Sequence, residues 1–235
     1  MGTAHYFDGL NGYAVISPFT VYGWSEITIA ELFYPVNPKT NTSWTKFSMI
    51  GDYWTDHPSI FWGTNNATNY TSLGSLWCVR KPDGTNTCYG YGIMSYVNKW
   101  VFVTQRFTSA REYAVYVNGQ KKYSTSVPSD YKTVLEWNPD TATYPSYYKR
   151  FVLGANVGYG EKMTMYQAML LIYNRALSDS EIQQIYNTPS NPPTTGLVLW
   201  FDNPDFTNDC CKAIWRDKSG NGNNGKLYNV QMAYY

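Results

Sequence analysis

The chain alternates short apolar stretches with turn residues, and that rhythm constrains its fold class more than any other feature. "YAVI" opens the series, followed by "EITIAELFY", "KFSMIGDYW", "SIFWG", "SLWCVR" and "TCYGYGIMSYV". "KWVFVTQRF", "EYAVYVNGQKKYST", "RFVLGANV" and "KMTMYQAMLLIYN" continue it. Each stretch has strand length, and Gly, Pro, Asn or Asp separates most of them. Tyr113, Val115 and Val117 alternate with Ala114 and Tyr116, as a pleated strand requires. Asn118-Gly119 supplies a two-residue type I′ turn directly after them. Many strands with little helix between them predict an all-β fold, an antiparallel two-sheet jelly-roll sandwich.

One helix interrupts the pattern, near residues 178–187. In "ALSDSEIQQIYN", Ser178 stands at the N-cap and Glu181 three residues later, a capping box. Leu177 and Ile182 occupy the staple positions, and Ile182, Ile185 and Tyr186 line one face. The helix stops before "NTPSNPPTT", whose prolines make residues 188–195 a stiff linker spanning roughly 25 Å if extended. The chain thus divides into a body, 1–187, the linker, and a tail, 196–235, with strands "GLVLWF" and "GKLYNV".

Charge excludes some partners. The 18 Lys and Arg nearly cancel 17 Asp and Glu, which leaves no electrostatic footprint for nucleic acid or an anionic membrane. The longest apolar runs are too short to span a bilayer, and "MGTAHYFDG" shows no basic-then-apolar signal pattern. The 23 Tyr, 9 Trp and 10 Phe are the compositional excess, suited both to strands and to surfaces that bind flat apolar faces. Asn-x-Ser/Thr sequons at Asn41, Asn66 and Asn69 permit an extracellular, glycosylated reading. Cys78 and Cys88 flank a segment centred on Pro-Asp-Gly, so the pair faces across a hairpin and can close a disulfide; two free thiols is the alternative. Cys210 and Cys211 are adjacent, and a vicinal bond, a link to a neighbouring chain and free thiols all stay open.

Several of these segments together resemble the laminin-G-like jelly-roll domains of the concanavalin-A-like lectin/glucanase superfamily. "YFDGLNGYAVI" is similar to the early Phe-Asp-Gly strand, "ITIAELFYP" to the next long strand, and "KWVFVTQRF…EYAVYVNG" to the Trp-then-Tyr-Val-Asn-Gly hairpin. "LLIYNRALSDSEIQQIYN" matches the closing strand and helix. The first strand and loop of the family resemble "GLVLWFD…DKSGNGNNGKLYNV", which here come last. Without them the edge beside "AMLLIY" would lie open, an exposed apolar liability. The tail is therefore expected to complete the same sandwich, within its own chain or in a neighbour's. The second arrangement would build a homo-oligomer or a filament by strand addition.

Chemistry-bearing residues are few. The glucanase branch of the superfamily uses a Glu-Ile-Asp-Ile-x-Glu strand. Here "EITIAE" offers Glu26 and Glu31 with Thr28 in place of the middle Asp, and a regular strand puts the two carboxylates on opposite faces. Asp217, Ser219 and Asn221 precede Gly222 at the spacing that opens a calcium loop, without the closing Glu, and calcium binding within the family makes Ca2+ a candidate cofactor. The alternative is a glycine-rich turn held by Asn and Ser side chains. Tyr53, Trp54, Asp56, His57 and Trp62 gather aromatic faces and polar groups in one segment, the composition of a sugar site; the competing reading buries Trp54 and Trp62 in the core. The expected function is a non-catalytic extracellular binding or adhesion domain for carbohydrate or protein. A structural subunit of a cell-surface or virion filament is the alternative, and a glycoside hydrolase the third reading.

Overall fold

The computed structural model describes residues 2–36, 46–51, 58–63, 74–142, 145–202 and 214–235. The body supplies β1 (Thr3–Asp8), β2 (Tyr13–Ile16), β3 (Ile27–Pro35), β4 (Lys46–Gly51), β5 (Ser59–Gly63) and β6 (Gly74–Arg80). It continues through β7 (Asn86–Gly92), β8 (Val101–Phe107), β9 (Glu112–Val117), β10 (Gln120–Ser126), β11 (Phe151–Leu153) and β12 (Thr164–Tyr173) to helix α1 (Asp179–Asn187). The tail adds β13 (Leu197–Phe201), β14 (Ile214–Trp215), β15 (Gly225–Tyr228) and β16 (Gln231–Tyr234). The protein is an all-β jelly-roll sandwich. One sheet runs β10-β9-β8-β3-β12-β1-β16, with β13 also on β12; the other runs β14-β15-β2-β11-β4-β5-β6-β7.

Period-2 alternation decides what each strand buries. On β3, Ile27, Ile29, Glu31 and Phe33 point between the sheets, while Ala30 and Leu32 point to the outer face. On β12 the register slips between Gln167 and Met169, so Met165 and Leu170, five residues apart, both face the core. That bulge keeps the strand's apolar set inward across its full length. "TCYGYGIMSYV" is strand only to Gly92; Met94–Tyr96 forms a 3-10 turn. Asn118 and Gly119 have φ of 49° and 76°, the two left-handed positions of the expected type I′ turn.

Helix α1 carries the capping box in full, and Ile182 and Ile185 pack on the outer face of the first sheet over Ala114, Leu171 and Tyr173. Asp179 ties the helix to that sheet by accepting from Arg106 Nη1 at 2.7 Å and Tyr116 Oη at 2.6 Å. Arg175 grips Glu181 through two hydrogen bonds, which with the cap holds that carboxyl at about 2.

The tail is seated in its own chain. β13 pairs antiparallel with β12, so Leu170–Tyr173 of the "AMLLIY" segment has a partner. β15 pairs with β2, and β16 with β1. In the core Trp215 stacks on Phe201 with ring centroids 4.7 Å apart, and His5 meets Trp215 edge-on at 4.4 Å. Gly225 faces the Phe201 ring so closely that a Cβ there would collide with it.

Candidate functional site

Among the described residues, the first sheet's outer face is covered at one end, by α1. At the other end the side chains that alternate with core residues are aromatic. Tyr6 lies between the buried His5 and Phe7, Tyr34 between Phe33 and Pro35, and Tyr166 between Met165 and Gln167. Registry brings them into one row: Gln231 pairs with Tyr6, Tyr6 with Tyr166, and Tyr166 with Tyr34. Trp100 precedes Val101, the partner of Phe33, and so extends the row to β8.

Ring contacts run the length of this row. Tyr6 and Tyr166 are 4.9 Å apart at a 36° tilt, Tyr166 and Tyr34 5.7 Å at 83°, and Tyr34 and Trp100 5.7 Å at 64°. Tyr235 comes over from the tail and lies 4.1 Å from Trp100 at a 38° tilt. Its ring rests on Gly2, where any Cβ would overlap it. Tyr6, Tyr34, Tyr166 and Trp100 are half-buried and Tyr235 is 42% exposed, and the contacts between them are tilted or edge-on, not parallel. Burial raises the Tyr6 hydroxyl, and the neighbouring Tyr166 and Asp8 add to that, so it stays a neutral donor at physiological pH. The row therefore offers flat apolar faces beside hydroxyls and a carboxamide, a surface for a ligand that is apolar on one face and polar at its rim.

The sequence-based candidates fall elsewhere. Tyr53, Trp54, Asp56 and His57 lie outside the described residues, as do all three sequons and Cys210 and Cys211. Trp62 corrects the expectation of a sugar-stacking ring: its side chain is 0% exposed, between the sheets, 6.1 Å from Phe33. Cys78 and Cys88 are directly opposed on β6 and β7 and joined by a disulfide.

The Asp217 loop is a hydrogen-bonded turn. Asp217 Oδ1 accepts from the amides of Trp200 and Ser219, and Oδ2 from Ser219 Oγ and the Asn223 amide, all at 2.9–3.0 Å. Asn221 donates its Nδ2 to the Leu197 and Val198 carbonyls, pinning the loop to β13. Asp217, Ser219 and Asn221 do not fit Ca2+ in this arrangement, because a cation would meet the hydrogens already aimed at the carboxylate. Among the described residues no group of three or more His, Cys, Asp and Glu could hold a metal.

Glu26 and Glu31 are likewise engaged in the fold. Glu26 accepts from Ser109 Oγ at 2.8 Å and from the Ala176 amide at 3.0 Å, linking the ends of two loops. Glu31 is 0% exposed; Ser48 Oγ donates to it across the sheets at 2.7 Å and Gln167 Nε2 at 3.2 Å. Burial pushes its carboxyl up to about 7 against those stabilising bonds. The two carboxylates do not share a cleft, as a hydrolytic pair must.

No family model and no curated sequence matches the chain. Solved structures do match it in fold. A Bacteroides ovatus protein described as carbohydrate-binding aligns over 99% of this chain with TM-score 0.65 and 15% identity; the chain spans 60% of that protein's length. The binding domain of botulinum neurotoxin serotype D aligns over 79% of this chain and 42% of its own, with TM-score 0.54 and 13% identity. The SAP-like pentraxin of Limulus polyphemus aligns over 79% of this chain and 82% of its own, with TM-score 0.50 and 11% identity. The shared feature is the two-sheet sandwich, built on very different sequences. No helix among the described residues is long and apolar enough to cross a membrane.

Proposed function

We propose that this is a non-catalytic, laminin-G-like extracellular domain that binds carbohydrate through the row Trp100–Tyr34–Tyr166–Tyr6. The observation that carries the reading is the cross-strand registry of these rings on a face that α1 leaves open. A pyranose ring has a C–H face that packs on an aromatic ring and a rim of hydroxyls for Tyr Oη and Gln231, so the surface chemistry matches a saccharide. The Bacteroides ovatus neighbour, described as carbohydrate-binding, supports this choice over a protein ligand. The engagement of Glu26 and the burial of Glu31 support a binding role over hydrolysis.

A glycan array probed with the parent chain and with Trp100→Ala and Tyr166→Ala tests the reading. Saccharide signals present for the parent and absent for both variants, with unchanged far-UV circular dichroism, are expected. An array with no signal, or signals indifferent to both substitutions, contradicts it.

A further inference from the structure

The outer face of the second sheet carries a different aromatic arrangement. Tyr228 and Tyr13 are registered partners on β15 and β2, and their rings stack at 4.7 Å and 15°. Tyr159 stacks on Tyr13 at 4.7 Å and 20°. Arg150 continues the pile: its guanidinium lies 4.8 Å from the Tyr159 ring and 4.9 Å from the Tyr147 ring, and Nη1 donates to Tyr159 Oη at 2.5 Å. Lys226 hangs 5.4 Å from the Tyr228 ring and Lys162 6.0 Å from the Tyr13 ring.

Two features mark this ladder as more than packing. Three cations gather here, and among the described residues none of them pairs with a carboxylate; they are held by π faces, which leave their charge unneutralised. Tyr159 also sits in the left-handed region, φ 63°, at the turn where its amide donates to the Asn156 carbonyl. Glycine would occupy that position with less strain, so the stacked ring is retained at a conformational cost.

We infer that this ladder is a second binding surface, for an acidic saccharide bearing carboxylate or sulfate groups. Tyr13 and Tyr228 are half-buried and their hydroxyls suit the rim of a sugar, the Tyr159 hydroxyl being taken by Arg150, while Lys162, Lys226 and Arg150 complement its anionic groups. Single-stranded nucleic acid, the other common polyanion, needs open ring faces for its bases, and in the stack each inner face already has a neighbour. The surface is separate from the row on the first sheet and does not depend on that row binding sugar.

Affinity for an oligogalacturonate and for a sulfated dextran oligomer, at several salt concentrations, tests the inference, with neutral dextran and a single-stranded oligonucleotide as comparison probes. Both acidic saccharides are expected to bind, with affinity falling as salt rises, and neutral dextran not to bind at this surface. Lys162→Gln/Lys226→Gln should weaken acidic-saccharide binding at least tenfold and flatten its salt dependence. Lys99→Gln/Lys122→Gln, which removes the same charge elsewhere, should leave both within twofold. Equal loss in the two lysine pairs, no binding of either acidic saccharide, or an oligonucleotide bound as tightly as the saccharides would overturn the proposal.

Discussion

Gly2 and Tyr235 exchange both backbone hydrogen bonds, Gly2 N to Tyr235 O at 2.9 Å and Tyr235 N to Gly2 O at 3.0 Å. With β16 antiparallel to β1, the two strands form a hairpin that lacks only its connecting turn. An Asn-Gly pair joining Tyr235 to Gly2 should supply that turn. New ends opened between Pro193 and Thr194 would then restore an uninterrupted strand order. This permuted chain is expected to unfold cooperatively within a few degrees of the parent. A chain ending at Thr195 loses β13–β16, opens edges on β12, β1 and β2, and is expected to lose cooperative unfolding and self-associate. Calorimetry and light scattering distinguish these outcomes.

Stability should depend on pH through two buried groups of opposite sign. Glu31 is held at about 7 against an ordinary 4.5, so the folded state binds its proton more tightly than the unfolded state. Its contribution falls as pH rises from 4.5 to 7, by about 3 kcal/mol, and is constant above. His5 is lowered by burial to about 3 from 6.5, so its contribution rises with pH across that interval. The two trends oppose each other where they overlap. Glu31→Gln keeps a neutral hydrogen-bonding side chain and removes only the falling trend. Urea titrations at pH 5 and 8 should show the variant gaining about 3 kcal/mol over the parent in the pH 8 minus pH 5 difference. Identical differences in the two chains would contradict the buried assignment.

Much of the fold was legible in the sequence because local chemistry specifies it. The capping box at Ser178 and Glu181 and the Asn118-Gly119 turn are short-range features, and both form as read. The candidate site was not legible, because its rings come from β1, β3, β12 and the residue before β8, and only long-range registry aligns them. The alternation around Tyr6, Tyr34 and Tyr166 carried a signal that each faces outward, but not that they share a row. The choice between a surface ring and a core ring at Trp62 stayed open in the sequence for a related reason. β5 is buried on both faces, so "SIFWG" has no polar alternation to say which residues face the core. The slip on β12 at Gln167–Met169 left no sequence mark at all.

The Cys78–Cys88 bridge should matter most at one edge. Among the described residues β7 is the last strand of its sheet and hydrogen-bonds within it only to β6. Closing a loop with a sequence separation of 10 restricts the unfolded chain by about 3 kcal/mol. Cys78→Ala/Cys88→Ala should lower stability by up to that amount. Amide exchange should accelerate on β6 and β7 well before β3 and β12, whose neighbours flank them on both sides. Uniform acceleration across all strands would contradict this local role.

Isothermal titration of the strongest array saccharide into the parent, Trp100→Ala and Tyr22→Ala tests the row as the binding surface most directly. Tyr22 is 42% exposed but lies off the row, so its removal controls for loss of any surface aromatic. The account predicts at least tenfold weaker binding for Trp100→Ala and none of that loss for Tyr22→Ala. Equal affinity of all three chains would contradict it.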